Sequence, residues 1–135
     1  MEPMRGSCLC GEVQFEVTAE PSAVRYCHCE SCKKLSGSIG TANARVRSES
    51  IRILAGEDVL RSYRPKEGSS KTFCSRCGSN LFGGGWPEAQ EVSLRLSAID
   101  TAFDRKPTAH NFVRSVAAWE TLPDDGAERF EETRP

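Results

Sequence analysis

Seven cysteines fall in three short clusters, Cys8-x-Cys10, Cys27-x-Cys29-x-x-Cys32 and Cys74-x-x-Cys77, and the 135-residue chain has no others. The clusters divide as four plus three. Four thiolates complete a closed tetrahedral zinc site, whereas three leave one position open. A closed site holds a fold together. An open one retains Lewis acidity and can accept a thiol or a carbonyl oxygen. Cys74-Ser75-Arg76-Cys77-Gly78 has the spacing of a zinc knuckle, and Gly78 lets the chain turn at positive φ after the second sulfur. Joining this knuckle to Cys8 and Cys10 gives a four-sulfur set and closes a loop of about 65 residues, where a crosslink helps most. Cys27, Cys29 and Cys32 are then left for a second ion. Cys27 and Cys29 point the same way on an extended backbone, and Cys32 returns on a turn. The reverse partition, in which Cys74 and Cys77 take two sulfurs of the middle cluster, leaves an odd set. Ligation by His28 would close the second site, but its ring should point away, because it lies between two ligands on an extended backbone. His110, a lone histidine beside Phe112, has two readings, a packed or surface residue and a site residue.

Weaker candidates surround the clusters. Glu30, between ligands, is a candidate general base. Ser36 and Ser38 in Leu35-Ser36-Gly37-Ser38 can either hydrogen-bond ligating sulfurs or form a turn. Gly83-Gly84-Gly85-Trp86 can bring backbone N–H groups to a ligand with Trp86 as an apolar wall, or can be a hairpin tip or bulge.

The elements that must position these residues are mostly strands. Gly11–Val17 alternates apolar and polar, as a half-buried strand does. Val24–Tyr26 runs into the middle cluster, and Ile39–Val46 is small and β-tolerant. Ile51–Leu54 and Val59–Arg64 flank a turn at Gly56-Glu57-Asp58. Pro65–Ser70 reads as a loop. Ser70–Phe73 enters the knuckle and Ser79–Phe82 leaves it. Val92–Leu96 alternates, and Asn111–Val113 reads as a further short strand. Helix signals are confined to single turns at Ser31–Ser36 and Ser97–Asp100. The expectation is one mostly β, antiparallel domain over residues 6–122, followed by an acidic, partly ordered surface tail at 123–135.

Bulk composition narrows the function classes. Charge is balanced, with 18 Lys+Arg against 19 Asp+Glu, and no basic block forms a nucleic-acid footprint. Two Zn²⁺ on seven thiolates would move the formal charge from −1 to about −4. No apolar run approaches the ~20 residues of a membrane span. The start, Met1–Gly6, lacks the apolar core of a signal peptide. These features predict a cytoplasmic protein, where reduced cysteine clusters more often bind metal than pair. An all-disulfide framework would leave one thiol over, since seven is odd.

The three clusters with their flanks resemble the glutathione-dependent formaldehyde-activating enzyme family, also called centromere-protein-V-like. The matching segments are Gly6-Ser7-Cys8-Leu9-Cys10-Gly11-Glu12-Val13, Tyr26-Cys27-His28-Cys29-Glu30-Ser31-Cys32-Lys33-Lys34-Leu35-Ser36-Gly37-Ser38, and Phe73-Cys74-Ser75-Arg76-Cys77-Gly78-Ser79-Asn80-Leu81-Phe82. Ala109-His110-Asn111-Phe112 and Trp119 look like the closing segment. The resemblance spans roughly Gly6 to Leu122. It implies a β-tent fold with two zincs. Cys8, Cys10, Cys74 and Cys77 would hold a structural zinc, and Cys27, Cys29 and Cys32 a catalytic one. It also implies a carbon–sulfur lyase that joins or cleaves a glutathione-like thiol and a small aldehyde such as formaldehyde. Lys33, Lys34 and Arg76 could then pair with the thiol's carboxylates, or simply be solvated. The expected partners are a small-molecule thiol and an aldehyde, with no nucleic acid and no membrane. A non-enzymatic two-zinc module that binds a protein is the alternative, since the fold alone does not decide function. A thiol-redox enzyme would need a free cysteine, and metal ligation consumes all seven.

Overall fold

A computed structural model describes residues 2–133. In chain order the strands are β1 (Met4–Ser7), β2 (Gln14–Val17), β3 (Ala23–Cys27), β4 (Thr41–Arg47), β5 (Ile51–Ala55) and β6 (Leu60–Tyr63). They continue as β7 (Lys71–Cys74), β8 (Asn80–Gly83), β9 (Glu91–Arg95), β10 (Ala109–Asn111) and β11 (Glu128–Arg129). One α-helix, α1 (Glu30–Ser36), follows β3. The fold is mostly β with little helix. Among the described residues no helix is long and apolar enough to cross a membrane.

The strands form a small sheet, β1-β2-β5, and a large one in the order β11-β10-β3-β4-β9-β8-β7-β6. Pairing is antiparallel except at β10, which runs parallel to both β3 and β11. Strand β10 reaches β3 only after the long connection that follows β9, so it is free to run in the parallel sense.

Period-2 alternation gives the large sheet two different faces. Ala44, Val46, Val92 and Leu94 face the small sheet and are buried in one core with Val13, Phe15 and Val17. The rings of Phe15 and Phe82 meet edge-on at 5.0 Å and 73°, tying the two sheets together. Burying each such ring stabilises the fold by roughly 1.5–3 kcal/mol. The opposite face of β3, β4 and β9 is polar, and its residues align across the sheet. Cys27 pairs with Thr41, and Arg25 pairs with Asn43, which pairs in turn with Arg95.

One local expectation needs correction. The predicted strand Asn111–Val113 is shifted. β10 ends at Asn111, Phe112 takes a left-handed conformation at φ 60° and ψ 44°, and Val113–Ser115 forms a 3-10 turn. A left-handed residue breaks the ladder, and the backbone N–H of Phe112 turns to the Glu132 carbonyl. Glu16, which alternation places in solvent, is almost fully buried because Arg5 and Arg52 cover it, at 3.9 and 3.2 Å.

The segment after Leu122 contributes β11 to the large sheet. Phe130 N–H donates to the His110 carbonyl at 2.9 Å, and Val113 N–H donates to the Phe130 carbonyl at 3.0 Å.

Candidate metal centres

The seven sulfurs gather into two groups, Cys8/Cys10/Cys74/Cys77 and Cys27/Cys29/Cys32. Within each group the sulfurs lie within 4.8 Å of one another, so each group could hold a metal ion. All seven cysteines are free of disulfides.

In the four-sulfur group, Cys8 Sγ lies 3.5 Å from Cys10 Sγ, and Cys10 Sγ lies 3.9 Å from Cys74 Sγ. Tetrahedral zinc with bonds near 2.3 Å requires sulfur–sulfur edges of about 3.8 Å, so these spacings fit such an ion. Backbone N–H groups are aimed at the sulfurs. Val13 N–H donates to Cys8 Sγ at 3.3 Å, and Arg76 N–H donates to Cys74 Sγ at 3.4 Å. Gly78 supplies the turn after the knuckle at φ +82°, as its position predicts. Ser79 bridges the two loops. Its Oγ accepts from Leu9 N–H at 2.8 Å and lies 3.2 Å from Cys77 Sγ. Hydrogen bonds from the Ser79 hydroxyl and backbone lower the Cys77 thiol to about 5. A metal ion held by this group would crosslink the turn between β1 and β2 to the β7–β8 hairpin.

The three-sulfur group sits where β3 passes into α1. Cys27 ends the strand, Cys29 precedes the helix, and Cys32 is buried in its first turn. Hydrogen bonding from Cys27 and Cys32 pushes the Cys29 thiol far below the usual range. Its contact with Cys29, then with Cys32, pushes Cys27 up. Three thiols this crowded share too few acceptors, and a cation relieves the competition by taking all three as thiolates. The group opens on a cavity of about 1450 Å³, lined also by Arg25, Lys34, Asn43, Arg95 and Asn111. None of Cys8, Cys10, Cys74 or Cys77 lines that cavity.

The other candidates divide. His28 joins neither sulfur group among the described residues, and its ring points away from the cysteines. It is buried and forms a relay with His110 and Asp125. His28 Nδ1 lies 3.1 Å from the Ile39 carbonyl, and its Nε2 lies 2.8 Å from His110 Nδ1. His110 Nε2 lies 2.8 Å from Asp125 Oδ2. The Ile39 carbonyl only accepts, so His28 Nδ1 carries the hydrogen and His110 Nδ1 donates to Nε2. The Asp125 carboxylate also only accepts, so it takes its hydrogen bond from His110 Nε2. Burial lowers the His28 pKa and so favours its neutral form. Hydrogen bonds from the Ala127 backbone N–H and then from the His110 ring hold the Asp125 carboxyl below its usual pKa. Tyr26 stacks on His110 with centroids 4.7 Å apart.

Lys34 lines the cavity, but Arg76 does not. Arg76 stands beside the knuckle, 3.8 Å from Glu12. Lys33 anchors α1 by donating to the Ser115 carbonyl and lies 3.3 Å from Glu30. Glu30 lines the cavity. Ser36 and Ser38 serve the turn after the helix, since Ser36 Oγ donates to the Lys33 carbonyl and accepts from Ser38 N–H. Ser31 is the hydroxyl at a sulfur, 3.4 Å from Cys29 Sγ. Trp86 packs on Phe82 at 4.8 Å and does not wall the cavity, whereas Gly84 does line it.

Sequence reasoning missed Ser31, Arg95 and Asn111. Among the described residues, Arg95 and Asn111 carry the two buried side-chain polar atoms without a hydrogen-bond partner, Arg95 Nη2 and Asn111 Oδ1. The available signal was register: both follow from knowing that β9 and β10 flank β3 and β4.

Comparison with known proteins agrees with the geometry. The family described as glutathione-dependent formaldehyde-activating enzyme matches residues 3–115. A Halomonas elongata protein, provisionally named as a glutathione-dependent formaldehyde-activating enzyme, is 32% identical over 125 residues, covering 86% of this chain and 78% of the relative. An uncharacterized lyase of Schizosaccharomyces pombe is 24% identical over 82 residues, covering 61% of this chain and 58% of the relative. A crystal structure of a Rhodobacter sphaeroides protein has the same fold, with a TM-score of 0.63 at 20% identity over 94% of this chain and 99% of that one.

Proposed function

Since this chain belongs to the glutathione-dependent formaldehyde-activating enzyme family, we propose that it is a zinc-dependent carbon–sulfur lyase. It joins or cleaves a glutathione-like thiol and a small aldehyde such as formaldehyde beside Cys27, Cys29 and Cys32. The observation that carries this reading is the asymmetry of the two sulfur groups. The three-sulfur group opens on the large cavity, and the four-sulfur group lies outside it.

Four sulfurs suit a closed structural zinc, and three suit a zinc with a free position. When bound at the three cysteines, zinc would supply Lewis acidity, which favours the thiolate form of a thiol and polarises a carbonyl. The protein's own residues supply the rest. Cys27, Cys29 and Cys32 offer three sulfurs fixed by the strand end and the helix start. Ser31 lies within hydrogen-bonding distance of Cys29 Sγ and limits its rotation. Lys34 and Arg25 line the cavity and give a substrate carboxylate cationic partners.

In the joining direction the thiolate sulfur attacks the carbonyl carbon. The S–C bond forms, the C=O π pair moves to oxygen, and that oxygen takes a proton from water to become the adduct hydroxyl, which balances the proton the thiol released to water on ionising. Asn111 lines the same cavity, and its side-chain amide offers that hydroxyl a hydrogen-bond partner.

The test is an NMR exchange measurement on glutathione and formaldehyde. Catalytic amounts of zinc-loaded protein should accelerate formation of the adduct. Chelation should abolish the acceleration, and added zinc should restore it. Equal rates with and without loaded protein would overturn the reading.

A further inference from the structure

Arg95 ends β9 on the polar face of the large sheet, and it is only 4% exposed. A guanidinium in that position has given up its water and must be compensated by the protein. The hydrogen bonds of Nε and Nη1 go to neutral groups. Nε donates to Asn80 Oδ1 at 3.0 Å, and Nη1 donates to Asn43 Oδ1 at 2.6 Å and to Thr41 Oγ1 at 3.4 Å. None of these cancels the charge, and Nη2 is buried without a partner.

The seat is shaped for this group. Gly83 lies beneath the guanidinium, and a Cβ there would meet Arg95 Nη2 at 2.8 Å and Cζ at 3.1 Å. The neighbouring strands β8 and β4 each contribute contacts, which fixes a long side chain in one direction. That direction is the cavity shared with Cys27, Cys29 and Cys32. Burial pulls the Arg95 pKa down, and the charges of Cys32, Cys27 and Cys29 oppose that pull. Guanidinium nonetheless stays charged in proteins.

We propose that Arg95 is the counter-charge of the three-cysteine centre, a positioning residue that faces the sulfurs from the cavity wall. The proposal rests on the reading that these cysteines hold a divalent ion. Three thiolates and a divalent ion carry a net charge of −1, and Arg95 brings the buried assembly to zero. A neutral assembly can admit an anionic thiolate as a further ligand at lower electrostatic cost than a negative one. It also makes the bound thiolates weaker electron donors and leaves the ion a stronger Lewis acid. The four-sulfur group, with Cys10 exposed to water, has no comparable need of a buried cation.

The experiment is cobalt(II) titration of the metal-free full-length protein, followed by the thiolate-to-cobalt charge-transfer absorption. Wild type should bind two cobalt ions per chain. In Arg95→Gln one ion should bind with wild-type affinity and the other at least about tenfold more weakly, since one unit charge at close range in a partly buried site is worth that or more. The charge-transfer band of the weaker ion should move to lower energy, a shift that a merely looser fold would not produce. Arg95→Lys, which keeps the charge, should restore most of both effects. Gly83→Ala keeps the arginine but crowds its seat, and it should shift the same band even if the glutamine variant folds poorly. Two ions bound by Arg95→Gln with unchanged affinity and band position would overturn the proposal alone. A single cobalt ion bound by wild type would overturn the two-metal reading and this proposal with it.

Discussion

At the residue scale, the cysteines differ in what holds them. Cys8, Cys74 and Cys77 receive hydrogen bonds from neighbouring backbone or from Ser79. These contacts pre-set the sulfurs as acceptors. Cys29 has two neighbouring sulfurs and Ser31. Its loss should therefore act on the chemistry more than on the fold. Cys29→Ser is expected to lower adduct-forming activity by at least about a hundredfold and to release one of two metal ions. The thermal midpoint should move by only a few degrees, because the four-sulfur crosslink remains. Metal analysis and a thermal melt on the same sample check this. Full activity in the variant would place the chemistry elsewhere.

At the element scale, the site depends on β10 and β11 as much as on the segment that carries the cysteines. His110 on β10 reaches His28 between two of the cysteines, and Asp125 from the chain's last segment reaches His110. Replacing His110 by alanine removes a fully buried ring stacked on Tyr26 and leaves His28 Nε2 without its partner. A cost of about 2–4 kcal/mol in urea unfolding is expected, with weakened metal retention at the three-cysteine group. A variant as stable as wild type would show that the relay supports nothing. The strands themselves were legible, because Val13-Gln14-Phe15 and Val92-Ser93-Leu94 alternate over a half-buried surface. The relay was not. A histidine between two cysteines and another 82 residues later become neighbours only through the parallel β3–β10 pairing, which leaves no local pattern. Phe112 was misplaced for a related reason: its left-handed backbone is set by long-range bonding to residue 132, not by its own β preference.

At the scale of the whole molecule, one sheet carries two unlike surfaces. One is the apolar core that Phe15 and Phe82 share, and the other is a polar floor bearing Arg25, Asn43, Arg95 and the end of β3 at Cys27. The four-plus-three division of sulfurs was readable from spacing, since each cluster is local in the chain. The floor opposite them was not, because Arg95 occupies a position that alternation assigns to solvent. It is buried among Thr41, Asn43, Asn80 and Gly83 of the neighbouring strands. The account's central claim is that the three-cysteine group is an open metal centre that receives a thiol. A crystal structure of the zinc-loaded protein soaked with glutathione, with zinc located by anomalous scattering, tests it most directly. The account predicts two zincs, the second bound by Cys27, Cys29, Cys32 and a glutathione sulfur at about 2.3 Å. A fourth protein ligand on that zinc, or no zinc there at all, would contradict it.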